Sequence, residues 1–336
     1  MKDNLLPAYD IIVVGGSAGA VEGFQTLVRA LPADFQAAIF FVLHIPVDYP
    51  SVLPKILSRA GSLPAEHPID GEPVRHGRVY VAPPDRHLML EDGVVRVKRG
   101  PRENRHRPAI DPLFRTAARV FGPRVIGVIM SGQMDDGAAG LHVIRSRGGI
   151  AIVQDPGDSA SRDMPQSALE YGNVDYVLPA SEIGPLLVKL VNKCAGDTMV
   201  ERKKNGHKAE DNVEQNRTAS TPEDGVGKPS TFSCPECHGV LWEVKEGNLV
   251  RFRCRVGHAF TMASLVEEQD QSVENAFWAA MRALDEKAAL NKRLADSSSD
   301  ARMAARLREQ ADDDHANATL IRNLLFAEEK ELKPAG

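Results

Sequence analysis

The stretch IIVVGGSAGA, Ile11 to Ala20, decides the fold. Ile11–Val14 is an unbroken β-branched run, too short for a helix and apolar on both sides. A strand covered on both faces of a parallel sheet reads this way. Gly15, Gly16, Ser17, Ala18 and Gly19 follow, so the chain turns tightly before the amphipathic stretch Val21–Leu31. Working outward, short apolar runs keep alternating with helical patterns to about residue 193. The further runs are Ala38–Leu43, Val79–Val81, Val125–Met130, Ile150–Val153 and Val174–Leu178; the further helical patterns include Asp111–Phe121, Leu141–Arg147 and Ile183–Val191. The alternation predicts an α/β fold, a doubly wound and mainly parallel sheet with helices on both faces. His87–Arg99 alternates polar and apolar residues around Glu91-Asp92-Gly93, which predicts a β-hairpin with an Asp-Gly turn.

The chain has 336 residues, 43% hydrophobic and 26% charged, a globular composition long enough for about two domains. Residues 1–194 balance 21 basic against 21 acidic side chains, so the formal net charge of −5 sits in residues 195–336. That balance lacks the broad basic face that nucleic acid requires. No apolar run approaches the roughly 20 residues of a membrane span. Asp3 and Asp10 flank the first apolar run, which excludes a secretory signal there and predicts a cytoplasmic protein. Four cysteines in this length do not make a disulfide framework.

Residues 1–194 are therefore read as one domain. From 195 to 230 the apolar content collapses, which predicts a disordered linker. Residues 231–262 carry Cys234, Cys237, Cys254 and His258 in the pattern C-x2-C-x16-C-x3-H. Paired ligands separated by a hairpin-length stretch suit tetrahedral Zn²⁺, so a structural zinc ribbon is expected. The rival is a cluster of reduced thiols packed as small hydrophobes. His238 is a substitute ligand, and Cys194 reads as a buried thiol. Val240–Val244 and Val250–Phe252 supply the hairpin. Residues 263–336 read as a helical extension, with a break at Ser297–Asp300.

In an open parallel sheet, ligands bind beyond the carboxyl ends of the strands. Ser17 follows the first run in a G-x-S-x-G turn, His44 follows the second, and Asp135-Asp136-Gly137 lie just beyond Val125–Met130. Serine, histidine and carboxylate on one rim match the nucleophile, base and orienter of a hydrolytic triad. The alternatives are a phosphate cradle at the glycine-rich turn, a structural histidine, and aspartates capping a helix. A dinucleotide site fits poorly, because G-x-G-x-x-G is absent and His44 stands where an acidic residue would hold ribose. Arg96, Lys98, Arg99, Arg102, Arg105, His106 and Arg107 form a basic run, read either as a solvated loop or as a docking surface for acidic helices.

From Asp10 to Leu190 the chain resembles the catalytic domain of the chemotaxis protein-glutamate methylesterases, the CheB family. The resemblance rests on IIVVGGSAGA, FFVLHIP, GRVYVAPPDRHLML, NRHRPAIDPLF, IGVIMSGQMDDGAAGL, AIVQD and MPQSALEYGNVDYVLP, which occur in the family's order. It implies a Ser-His-Asp triad of Ser17, His44 and Asp136 (rather than Asp135) that needs no catalytic cofactor. It further implies hydrolysis of glutamate γ-methyl esters on the cytoplasmic helices of methyl-accepting chemoreceptors, with release of methanol. Deamidation of receptor glutamines is a second implied activity, and a methyltransferase or response regulator is a further expected partner. Ala18 and Gln133 depart from the family's S-T-G-G and T-G-M-G patterns, which leaves a catalytically weak scaffold as the alternative. The resemblance begins near residue 10, so control by a receiver domain within this chain is not expected.

Overall fold

A computed structural model describes residues 9–45, 50–171, 174–193, 227–246 and 249–331. Strands β1 (Ile11–Gly16), β2 (Ala38–Leu43), β3 (Ala65–Glu66), β4 (Arg78–Val81), β7 (Val125–Ile129), β8 (Ile150–Gln154) and β9 (Tyr176–Leu178) form a seven-stranded sheet in the order β3-β4-β2-β1-β7-β8-β9. Every pairing in it is parallel. The predicted α/β architecture is thus observed. Between β4 and β7, β5 (His87–Glu91) and β6 (Val94–Lys98) form the expected antiparallel hairpin. Its turn residues Asp92 and Gly93 both have positive φ, 50° and 78°, as a tight hairpin turn requires.

Alternate side chains of each strand serve opposite faces. Ile12 and Val14 pack with Phe24 and Leu27 of helix α1 (Ala20–Arg29), Leu57 of α2 (Leu53–Ala60) and residues of the helix Ala180–Val191. Ile11 and Val13 pack on the other face with Leu113 and Phe114 of α3 (Ile110–Phe121), Ile144 of α4 (Ala138–Ser146), Met164 of α5 (Asp163–Tyr171) and the hairpin's Leu88 and Leu90. Full burial of one such side chain is worth about 1.5–3 kcal/mol, so both layers contribute strongly to folding. Short α2, α5 and β3 have apolar periods too brief to mark them in the sequence.

Most of the stretch read as a linker, residues 195–226, and Cys194 lie outside the described residues. Its end does not conform to that reading, because β10 (Lys228–Ser233) already pairs antiparallel with β11 (Val240–Glu246). β12 (Leu249–Cys254) and β13 (Ala259–Thr261) complete a four-stranded antiparallel sheet. Cys234, Leu241, Phe252, Cys254, Phe260 and Leu265 form its small core. Sequence spacing set this module apart, yet it belongs to the same compact unit as the parallel sheet, Met1–Leu265. The second unit, Val266–Gly336, contains most of the helix Met262–Ser297 and the helix Ala301–Glu331. Lys287 and Asp314 pair across these two helices at 2.9 Å. Among the described residues no helix is long and apolar enough to cross a membrane.

Candidate active site

Parallel register brings the strand-end residues together. Gly16 is paired with Leu43, and the His44 N–H donates to the Gly16 carbonyl at 3.2 Å, so Ser17 and His44 follow on neighbouring strands. From the other side the Ser17 N–H donates to the Ser131 carbonyl at 2.9 Å. Gly19 caps α1 with φ 74°, and an added Cβ would lie 2.4 Å from that of Ala160. Only glycine meets both demands, which is why the G-x-S-x-G turn has this composition. Ser17 is half-buried, while Ala18 and Gly19 are exposed at the mouth of the turn.

His44 Nε2 lies 2.8 Å from Asp136 Oδ2, and their side chains are 4% and 1% exposed. Asp136 also accepts the backbone N–H of Ile110 at 2.6 Å and of Asp111 at 3.3 Å, and the Asn104 amide at 2.9 Å. Burial alone would raise the Asp136 carboxyl, but the His44 hydrogen bond and charge and the Ile110 N–H outweigh it. They hold it well below the usual carboxylate range, so it is ionised at neutral pH. An anionic Asp136 selects the Nε2–H tautomer of His44. The opposite nitrogen, Nδ1, is buried and has no hydrogen-bond partner among the described residues. No hydrogen bond joins the Ser17 hydroxyl to His44 among those residues either. The structure therefore unites histidine and aspartate directly and places Ser17 at the adjacent register position.

The neighbouring Asp135 turns away and accepts the Thr261 hydroxyl at 2.9 Å. Burial raises its carboxyl pKa, with Asp136 adding to the rise and Thr261 opposing it. The Ser17 N–H is engaged by the Ser131 carbonyl and so is not offered to an oxyanion. Ala18 and Gly19 keep their N–H groups without a protein partner among the described residues, at the N-terminus of α1. Gln133, one of the departures from the family pattern, is exposed.

His106 is a neighbour that the spacing did not disclose: its ring stacks on His44 with centroids 3.5 Å apart and planes 12° apart. Burial, reinforced by the His44 charge, pushes His106 down to about 3. A neutral ring can lie flat on its partner without repulsion. In the unfolded chain the same ring titrates near 6.5. Its contribution to stability is complete above about pH 6.5 and is lost as the pH falls toward 3, because the unfolded ring takes a proton that the folded one refuses. Between pH 7 and pH 5 wild type should lose about 2 kcal/mol more unfolding free energy than His106→Gln. Urea titrations of both proteins at the two pH values measure this, and equal losses would refute it. His87, also buried, is held structurally: Nε2 lies 2.8 Å from the Pro101 carbonyl and Nδ1 accepts the Ala109 N–H at 3.3 Å.

The basic run is paired in part within the molecule. Arg96 and Lys98 meet Glu91 at 2.9 and 3.6 Å, Arg99 and Arg107 meet Asp85 at 2.8 and 2.5 Å, and Arg102 meets Glu236 at 3.5 Å. Five cations thus share three carboxylates, so the run is paired within the molecule but keeps a net positive charge.

Cys234, Cys237, Cys254 and His258 converge, with all four ligand atoms within 4.8 Å of one another. Cys237 Sγ is 3.6 Å from Cys254 Sγ, and His258 Nδ1 lies 3.7 Å from Cys234 Sγ and 3.5 Å from Cys254 Sγ. A tetrahedral zinc site with Zn–S near 2.3 Å and Zn–N near 2.0–2.1 Å has edges of about 3.8 Å (S···S) and 3.6 Å (S···N). The donors thus fit that ion, with His258 offering Nδ1. His238 is not in the cluster.

Comparison with known proteins agrees with the fold. The family model described as CheB methylesterase matches residues 12–187. A "Protein-glutamate methylesterase/protein-glutamine glutaminase 2" of Anaeromyxobacter dehalogenans is 40% identical over 181 residues, 54% of this chain and 53% of its own. A relative in Leptospira interrogans is 39% identical over 183 residues, covering 54% of this chain and 95% of its own. The chain therefore spans about half the length of the first relative and nearly all of the second. The crystal structure of the Thermotoga maritima CheB methylesterase catalytic domain superposes with a TM-score of 0.52 at 34% identity, covering 55% of this chain and 99% of that one. The Cys3His cluster lies outside the residues that the family model matches.

Proposed function

The chain belongs to the CheB methylesterase family, and from that premise we propose that it is a serine-type protein-glutamate methylesterase. Its substrate is the glutamate γ-methyl ester on the cytoplasmic helices of chemoreceptors, and its role is adaptation in chemotaxis, in the cytoplasm. The observation that carries this reading is His44, bound through Nε2 to ionised Asp136, with Nδ1 buried and without a hydrogen-bond partner among the described residues, on the strand end next in register to Ser17. In the reaction, Nδ1 takes the Ser17 proton as Oγ attacks the γ-carbonyl. Asp136 steadies the imidazolium that results. The N–H groups of Ala18 and Gly19 receive the oxyanion, an interaction worth about 3–4 kcal/mol in comparable sites. The C–O bond to methanol breaks as His44 returns the proton to the leaving oxygen. Water then attacks the acyl-serine, losing its proton to His44, which passes it to the departing Ser17 Oγ as the receptor's glutamate γ-carboxylate is freed. An amide in place of the ester yields ammonia by the same steps, which accommodates glutaminase activity. Cys234, Cys237, Cys254 and His258 hold a structural Zn²⁺ that takes no part in these steps.

Methanol release from methylated chemoreceptor membranes tests the proposal. Release above the spontaneous rate is expected. No release by folded, zinc-loaded protein would contradict it and favour a CheB-like scaffold in a signalling pathway.

A further inference from the structure

The zinc-ribbon-like module is built into the wall of the triad. β13 runs beside the Arg102–Asn104 segment, where the Asn104 N–H donates to the Ala259 carbonyl at 2.8 Å and Glu103 bridges Ala259 in parallel. Asn104 is the relay. Its amide nitrogen donates to Asp136 Oδ1 at 2.9 Å and to Asp111 Oδ2 at 3.1 Å, while its carbonyl accepts the Thr261 N–H at 3.2 Å. Arg251 of β12 reaches Asp111 Oδ2 at 3.2 Å and Glu103 Oε2 at 3.1 Å. Glu103, Asp111, Asp135 and Asp136 are all buried here, as are Arg251 and Thr261. Clustered buried carboxylates are costly unless each is paired or hydrogen-bonded. The parallel-sheet domain contributes Arg115, 2.7 Å from Glu103 and 3.7 Å from Asp111. The module contributes Arg251 to the same two carboxylates and the Thr261 hydroxyl to Asp135. Arg115 and Arg251 together hold the Glu103 carboxyl at about 2 against the opposing effect of burial. An appendage that was merely tethered would not bury these polar groups against the catalytic loop.

We propose that Arg251 and Thr261 are positioning residues for the esterase reaction, acting on Asp136 through Asp111, Asn104 and Asp135, so that turnover depends on the folded module. This rests on the reading of Ser17, His44 and Asp136 as the triad. An orienting carboxylate that drifts by an ångström lets the imidazole drift with it, and misplacement on that scale costs up to about 100-fold in rate.

The test uses the full, zinc-loaded chain and its Arg251→Met, Arg251→Lys and Thr261→Val variants. Three quantities are read: kcat and KM for an activated acetate ester, the rate of Ser17 labelling by a fluorophosphonate, and zinc content. Arg251→Met should lower kcat and labelling about 10- to 100-fold with KM changed less than about twofold. Arg251→Lys keeps a cation near both carboxylates and should recover part of the loss, which a purely structural role for the guanidinium does not require. Wild-type kcat in folded, zinc-loaded Arg251→Met would overturn the proposal. Should that variant lose its zinc or its fold, Thr261→Val decides, since it exchanges for a methyl of similar size the hydroxyl that donates to Asp135 and accepts the Ser264 N–H: a lower kcat in folded, zinc-loaded protein supports the proposal and an unchanged kcat overturns it. Wild type that neither turns over ester nor labels would overturn the triad reading itself, and this inference with it.

Discussion

Ser17→Ala should abolish ester turnover to within a small residue, a fall of about 10⁴-fold or more in kcat with KM nearly unchanged. The size follows from how the triad acts as a unit: without the hydroxyl, His44 and Asp136 have no proton to move and no acyl-enzyme forms. Some acceleration should persist, because the Ala18 and Gly19 N–H groups still face the carbonyl and can assist attack by water. The fold should not change. The turn is held by the Ser17 N–H to Ser131 and by the Ala20 N–H to the Ser17 carbonyl, at 2.9 and 3.1 Å, and neither bond uses the hydroxyl. The positive φ of Gly19 is likewise untouched. Steady-state kinetics beside a thermal melt separates the two effects. A variant that retains its melting temperature and more than about a tenth of wild-type kcat would show that Ser17 is not the nucleophile.

Removal of the metal should have the second largest effect. The core of the module amounts to Cys234, Leu241, Phe252, Cys254, Phe260 and Leu265, and two of these are ligands. Such a core is too small to offset the ordering entropy of four strands. Structural zinc supplies about 10–16 kcal/mol of apparent binding energy in comparable small modules, which here acts as folding energy. A chelator under reducing conditions should therefore collapse amide protection across β10–β13 and leave that of β1, β2, β7 and β8 near its original level. Protection should return when zinc is restored. Hydrogen exchange followed by mass spectrometry reads both sheets in one sample. Unchanged protection in β10–β13 after complete zinc loss would mean that the thiols pack as plain hydrophobes. Because Arg251 and Thr261 lie on these strands, kcat should fall together with that protection.

Much of this molecule was legible from local chemistry. β1, β2, β7 and β8 are covered on both faces, so they read as uninterrupted apolar runs, and the residue after each run falls at the carboxyl rim. Ser17 and His44 could be singled out on that basis. The choice of Asp136 over Asp135 could not be made from spacing, since adjacent residues at a turn point in different directions; it came from resemblance. The structure sends one to His44 and the other to Thr261. Asn104 opens the family-like segment NRHRPAIDPLF, yet nothing in the spacing gave it a role. An amide in a loop with φ 48° looks like a turn residue until its partners are seen on α3, on the Asp135–Asp136 loop and on β13. The pairing of the basic run depends on the fold in the same way: its counter-charges Glu91, Asp85 and Glu236 are brought to it partly by a hairpin and partly by the distant module. Contacts between segments more than 100 residues apart, such as Thr261 with Asp135, are decided by tertiary packing, which no local pattern records.

The most direct test of the account is to treat folded, zinc-loaded protein with a fluorophosphonate and locate the adduct by peptide mass spectrometry. Stoichiometric modification of Ser17, lost in His44→Ala, is the expected result. Modification of a neighbouring serine such as Ser131 or Ser161, or no covalent adduct at all, would contradict it.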